Sequence, residues 1–289
     1  MVQFGRISTA MVTPFDSKGH VDFAKTTQLV NHLIKNGTDS LVVAGTTGES
    51  PTLTKEEKIA LFDHVVKVVD KRVPVIVGTG SNNTYATIEL TKKAAQLGVD
   101  GIMIVAPYYN KPNQEGLYQH FKAVAESTDL PIMVYNIPSR SVVNILPETI
   151  IRLSEIRNIV CVKEASGDLS AMTKIIANTS EDFHLYSGDD SMALPILSIG
   201  GVGVVSVASH IIGNEMQKMV RTFLEGNHTE AAKLHQKLLP VMQGLFNAPS
   251  PGPVKTALQL MGLDVGSVRL PLVPLNERER AEIYELIKN

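Results

Sequence analysis

A single lysine closes a short apolar run in the middle of the chain. Ile159-Val160-Cys161-Val162 leads into Lys163-Glu164, and Ser166-Gly167-Asp168 follows as a turn ending in a helix cap. Four apolar residues in a row, rich in β-branched types, read as a strand buried on both faces. Lysine is rarely buried without a reason. Desolvation lowers its pKa and leaves more of the neutral amine, the form that attacks a carbonyl. The chemistry on offer is therefore a Schiff base. The same six residues also fit a rim lysine that snorkels to solvent or pairs with a carboxylate, which is the commoner fate. What the rest of the chain brings to that strand end decides between the two.

The elements around it alternate. Strands are expected at residues 7–12, 40–43, 73–77, 101–105, 131–134, 159–164, 183–186 and 202–205. Amphipathic helical segments separate them, the first at 22–35, with Phe23, Leu29, Val30, Leu33 and Ile34 on one side. Thr54 with Glu57 has capping-box spacing, Asn82 or Asn83 can cap the helix running to Leu97, and Pro147 suits a first helical position. Eight strands alternating with eight helices imply a parallel sheet with right-handed crossovers, and that count closes as an α/β fold, a (β/α)8 TIM barrel. An open doubly wound sheet is the rival. Its dinucleotide fingerprint is missing, because Gly78-Thr79-Gly80 lacks the third glycine and follows the third strand. Helices at 228–246, 253–261 and 276–288 complete the chain. The expected organisation is a catalytic barrel over 1–226 and a C-terminal helical appendage over 227–289.

In such a barrel all strand C-termini face one mouth. Thr46 and Thr47 follow strand two, Tyr109 strand four, Tyr135 and Arg140 strand five; Lys163 ends strand six, Gly188 follows strand seven and Val205 ends strand eight. A lysine is thus surrounded by hydroxyls that can pass protons and by a guanidinium that can grip a carboxylate. Singly, each has a plainer role: a glycine-turn residue, a loop or interface aromatic, a core ring, a solvated arginine. Gathered at one rim, they favour the Schiff base.

Composition excludes other classes. The 289 residues are 44% hydrophobic and 19% charged with a formal net charge of -2, which argues against nucleic-acid and membrane-surface binding. Cys161 is the only cysteine; it reads as a small core residue, and a disulfide-free chain fits a reducing compartment. No signal peptide opens the chain and no run is long enough to span a membrane, so a cytoplasmic location is expected. The eight histidines show no metal-ligand spacing, no phosphate-binding loop occurs and no Gly-x-Ser-x-Gly occurs, so no metal or cofactor is expected.

Gly45-Thr46-Thr47-Gly48-Glu49, Tyr135-Asn136-Ile137-Pro138-Ser139-Arg140 and Val162-Lys163-Glu164-Ala165 resemble the class I aldolase superfamily typified by N-acetylneuraminate lyase. Within it the chain is most similar to the dihydrodipicolinate synthase family. The likeness extends over essentially the whole chain, including Pro107-Tyr108-Tyr109-Asn110-Lys111-Pro112 and Ser187-Gly188-Asp189-Asp190. The Thr46-Thr47 pair and Arg140 mark that family more narrowly than the shared glycines. The resemblance implies a lyase of diaminopimelate and L-lysine biosynthesis. Lys163 condenses with pyruvate, and its enamine attacks L-aspartate 4-semialdehyde. Tyr135, Thr46 and Tyr109 form a proton relay; Thr47 holds the pyruvate carboxylate; Arg140 holds the carboxylate of the semialdehyde; the backbone at Gly188 and Val205 lines the pyruvate side. It also implies that Tyr109 enters a neighbouring subunit's site, hence a homotetramer built as a dimer of dimers. Two alternatives stay open: a pyruvate aldolase acting on a 2-oxo sugar acid, and a non-catalytic barrel that binds a keto acid. One departure concerns lysine feedback. Where lysine-inhibited relatives carry histidines and a glutamate, this chain has Pro51, Lys55, Lys58 and Ala86, although Ser50, Asn82 and Tyr108 fit, so feedback is expected to be weak or absent.

Overall fold

A computed structural model describes residues 4–288; residues 1–3 of the N-terminal stretch and Asn289 of the C-terminal segment lie outside the described residues. Eight strands close into one parallel barrel in chain order: β1 (Ile7–Ala10), β2 (Ser40–Val43), β3 (Val75–Gly78), β4 (Gly101–Val105), β5 (Ile132–Asn136), β6 (Ile159–Glu164), β7 (His184–Ser187) and β8 (Gly203–Ser206). Closure is made by β1 on β8, with Ile7 opposite Val204 and Thr9 opposite Ser206. The helices between them are α1 (Phe23–Lys35), α2 (Lys55–Val69), α3 (Thr84–Ala95), α4 (Gln114–Ala125), α5 (Pro138–Ser141), α6 (Pro147–Ser154), α7 (Leu169–Ala177), α8 (Ala193–Ser198) and α9 (Ser209–Leu224). Three more, α10 (His228–Gly244), α11 (Gly252–Leu260) and α12 (Glu277–Lys288), follow the barrel.

Two apolar layers result from strand alternation. Inside the barrel lie Phe4, Ala10, Val42, Ile76, Met103, Met133, Cys161, Tyr186 and Val205. Ile159, Val162, Val134 and their counterparts pack outward against the helices. Because side chains alternate along a strand, Lys163 shares the inward side of Cys161. Cys161 is fully buried and burial pushes its thiol pKa up, consistent with a core residue.

Caps set the helix starts. Thr54 and Glu57 form the reciprocal capping box of α2, and Asn83, Asn113 and Asp168 cap α3, α4 and α7, each worth about 1 kcal/mol. Where the observed elements differ from the sequence reading, local physics explains it. β5 extends through Tyr135 and Asn136 because these pair with Lys163 and Glu164 on β6. Arg140 lies in the short α5, whose turn is closed by the Ser141 hydroxyl donating to Ile137 O at 2.9 Å. α9 starts at Ser209 and bends at Ile212, beside Gly213. A Cβ at Gly213 would lie 2.2 Å from Asn36 O, so only glycine lets α9 approach the end of α1 so closely. No described helix is long and apolar enough to cross a membrane.

Candidate active site

β5 and β6 set Tyr135 and Lys163 side by side in register at the same end of the barrel. Lys163 is buried at 5% exposure, and its Nζ rests 4.1 Å from the centroid of the Tyr135 ring. Among the described residues, no carboxylate lies within ion-pair distance of it. Burial lowers the Lys163 pKa to about 7; Asp190 pulls it back up across a longer distance, and the Arg140 guanidinium pushes it further down. The amine is therefore substantially neutral near pH 7. Tyr135 is pushed up to about 12 by burial, with the Thr46 side chain and Arg140 opposing in part, so its hydroxyl stays protonated and able to donate.

A cavity of about 290 Å³ opens at this pair, its lining including Thr46, Tyr135, Ile137 and Arg140 together with Ser50, Pro51, Lys58, Ser81 and Tyr108. Arg140 and Lys58 are its charged lining, and no carboxylate faces it. Such a space suits small anionic molecules. Lys163 does not itself line the cavity; its Nζ lies against the ring of Tyr135, which does. Gly188 packs on it: a Cβ there would lie 3.2 Å from Lys163 Cε and 2.7 Å from Ala165 Cβ, so a side chain at 188 would crowd the amine. Val205 belongs to the same inner layer as Tyr135, and Thr47 is buried in the turn after β2. Tyr109 is different. It is 89% exposed, does not line the cavity of its own chain, and has φ +73°.

Further groups, Asn136, Glu164, Asp190 and the Lys255–Glu49 pair, support this end and were not named as site residues from the sequence. Asn136 donates to Glu164 Oε2 (2.9 Å) and Asn144 Oδ1 (2.8 Å) and accepts from Ile145 N (3.0 Å), which ties the segment after α5 to the end of β6. Glu164 also accepts from Ser166 N, and burial raises its pKa. Asp190, buried at 2%, accepts from Val207 N and Ala208 N and so links the loops after β7 and β8. Lys255 in α11 meets Glu49 in a pair buried at 2% and 1%. Lys255 carried the same signal as Lys163, a cation within the apolar run Pro253-Val254-Lys255-Thr256-Ala257-Leu258. Among the described residues, no cluster of three or more His, Cys, Asp or Glu side chains could hold a metal.

Residues 3–289 match the model of the dihydrodipicolinate synthetase family. The chain belongs to that family. Among its members, the 4-hydroxy-tetrahydrodipicolinate synthase of Bacillus velezensis is 66% identical over 283 residues, 98% of each chain. The crystal structure of dihydrodipicolinate synthase DapA-2 from Bacillus anthracis superposes with a TM-score of 0.98 at 64% identity, covering 100% of this chain and 99% of the other. A second family structure, the enzyme of Cyanidioschyzon merolae with lysine bound, has a TM-score of 0.98 at 47% identity and covers 100% and 98%. Family membership accounts for the barrel and for its added C-terminal helices.

Proposed function

We propose that this chain is a lyase of L-lysine biosynthesis that condenses pyruvate with L-aspartate 4-semialdehyde through a Schiff base on Lys163. The observation that carries the proposal is the amine itself: buried, lowered to about 7, without an ion pair, and set against a tyrosine that lines an anion-suited cavity. The neutral amine adds to the ketone of pyruvate, and loss of water gives the iminium. Removal of a methyl proton yields the enamine, whose carbon attacks the aldehyde. Tyr135 is nearest the nitrogen and shuttles protons, with Thr46 next in the relay. Thr47 and nearby backbone donors hold the pyruvate carboxylate, with Gly188 and Val205 along that side, while Arg140 takes the carboxylate of the semialdehyde at the mouth.

Tyr109 completes the relay from a neighbouring subunit. Its exposure supports this, and the assembly is then a homo-oligomer, a dimer of dimers. An enzyme acting on two metabolic intermediates fits a cytoplasmic location. Borohydride reduction in the presence of pyruvate, followed by peptide mass mapping, tests the reading: the adduct is expected on Lys163, and an unmodified Lys163 makes the chain a keto-acid binder. With Arg140→Ala the adduct still forms, while kcat/KM for the semialdehyde falls about 100-fold. A variant that keeps full use of the semialdehyde, or a wild type that prefers a sugar-acid aldehyde, overturns the substrate assignment.

A further inference from the structure

The turn that carries Thr46 and Thr47 is short and tightly folded. Glu49 N donates back to Thr46 O (3.0 Å), the Thr13 hydroxyl holds Gly48 O (2.6 Å), and Glu49 itself sits in the left-handed region at φ +55°. A non-glycine residue stays there only when its surroundings over-determine it. The surroundings come from the far end of the sequence. Lys255 Nζ lies 2.6 Å from Glu49 Oε1, and Arg269 N donates to Glu49 Oε2 at 2.8 Å. Each carboxylate oxygen is thus held by a different part of the segment after the barrel. Lys255 also donates to Ser267 O (2.8 Å), joining the two parts.

Arg269 extends the grip along the chain. Its guanidinium reaches Gly19 O (2.7 Å), Thr52 O (2.8 Å) and both oxygens of Glu57, the residue that also caps α2. Lys255 and Arg269 both lie against the ring of Phe15, at 4.2 and 4.3 Å. None of Glu49, Lys255 and Arg269 lines the cavity. A buried ion pair adds little net stability over apolar residues of the same volume; what it adds is direction. Here the direction it fixes is that of the backbone between residues 46 and 49.

We propose that Lys255 and Arg269 are positioning residues: Lys255 acts through Glu49 and the Arg269 guanidinium through Thr52 O and Glu57, so that the C-terminal segment holds Thr46 and Thr47 at the angle that pyruvate chemistry needs. This rests on the Schiff-base reading above. The test compares full-length Lys255→Met, the charge-neutral double variant Glu49→Gln with Lys255→Met, Arg269→Met, and Arg278→Met as a control in the exposed Arg278–Glu282 pair. Rates are expressed per active site, counted by borohydride trapping of pyruvate.

For Lys255→Met and the double variant, kcat is expected to fall about 10–100-fold and KM for pyruvate to rise about tenfold, while KM for the semialdehyde stays within about twofold. Arg269→Met shows the same split at about 3–10-fold. Arg278→Met matches wild type. A merely structural role would lower Tm and the trapped fraction while leaving per-site kcat and both KM values unchanged, and that result overturns the proposal. If Lys255→Met alone does not fold, the double variant and Arg269→Met decide in the same terms. If wild type itself gives no Lys163 adduct, the Schiff-base reading fails first and this proposal falls with it.

Discussion

Lys163 and Lys255 are both buried lysines, and their surroundings give them opposite work. Lys255 has a carboxylate at 2.6 Å and keeps its charge against burial that lowers its pKa to about 8. Lys163 has no ion pair among the described residues and is lowered to about 7, which suits it to the role of nucleophile proposed above. The sign of the pH effect follows. Below about pH 7 the ammonium form dominates and cannot attack, so kcat/KM for pyruvate should fall roughly tenfold per pH unit on the acid side and level off above. Since Arg140 contributes to the depression, Arg140→Ala should move that limb to higher pH. A limb that stays in place, or none between pH 5.5 and 8, measured in initial-rate profiles, would remove the amine from its role. Lys163 was legible in the sequence because four apolar residues precede it. Asp190, which raises its pKa, was not: it sits beyond the next strand, and only the pairing of β6 with β7 brings it near.

At the scale of elements, α2 and the turn before it (Ser50–Thr52) form the outer wall of the cavity. Lys58 projects from α2 into that wall, half-buried and without an ion pair, its pKa lowered by desolvation. Pro51 and Tyr108 share the wall, whereas Lys55 and Ala86 do not line it. An ammonium ligand placed there meets a cation and no carboxylate, an arrangement that costs rather than contributes binding energy. L-Lysine added to the assay is therefore expected to leave the rate unchanged through the micromolar range; half-inhibition at micromolar lysine would contradict this. The strands and long helices were legible from period and caps, with boundaries shifted by a few residues. The short α5 was not, because four residues are too few to show a period, and Pro138 with Ser141 makes its turn only after β5 has fixed the entry angle.

At the scale of the whole molecule, the barrel leaves Tyr109 on the outside in a backbone region that bulky residues avoid. If a neighbour's site is its destination, defects on different subunits should compensate. Tyr109→Phe alone should lose about 10–100-fold in kcat and Lys163→Ala all activity, yet co-assembled subunits of the two should recover about a quarter of wild-type activity, since half of random pairs hold one complete site. Activity no greater than the sum of the separate variants would place Tyr109 elsewhere. The alternation of eight strands and eight helices was readable along the chain, whereas which distant residues grip one another was not: Glu49 and Lys255 are 206 positions apart.

That separation has a consequence for synthesis. The turn bearing Thr46 leaves the ribosome early, and the residues that grip it, Lys255 and Arg269, emerge almost last. A nascent or truncated chain that stops short of residue 255 contains every member of the proposed relay and lacks the clasp that is proposed to set two of them. On that proposal, competence arrives only when translation is nearly finished, and a polypeptide cut before residue 255 keeps the barrel's strands while losing that fastening.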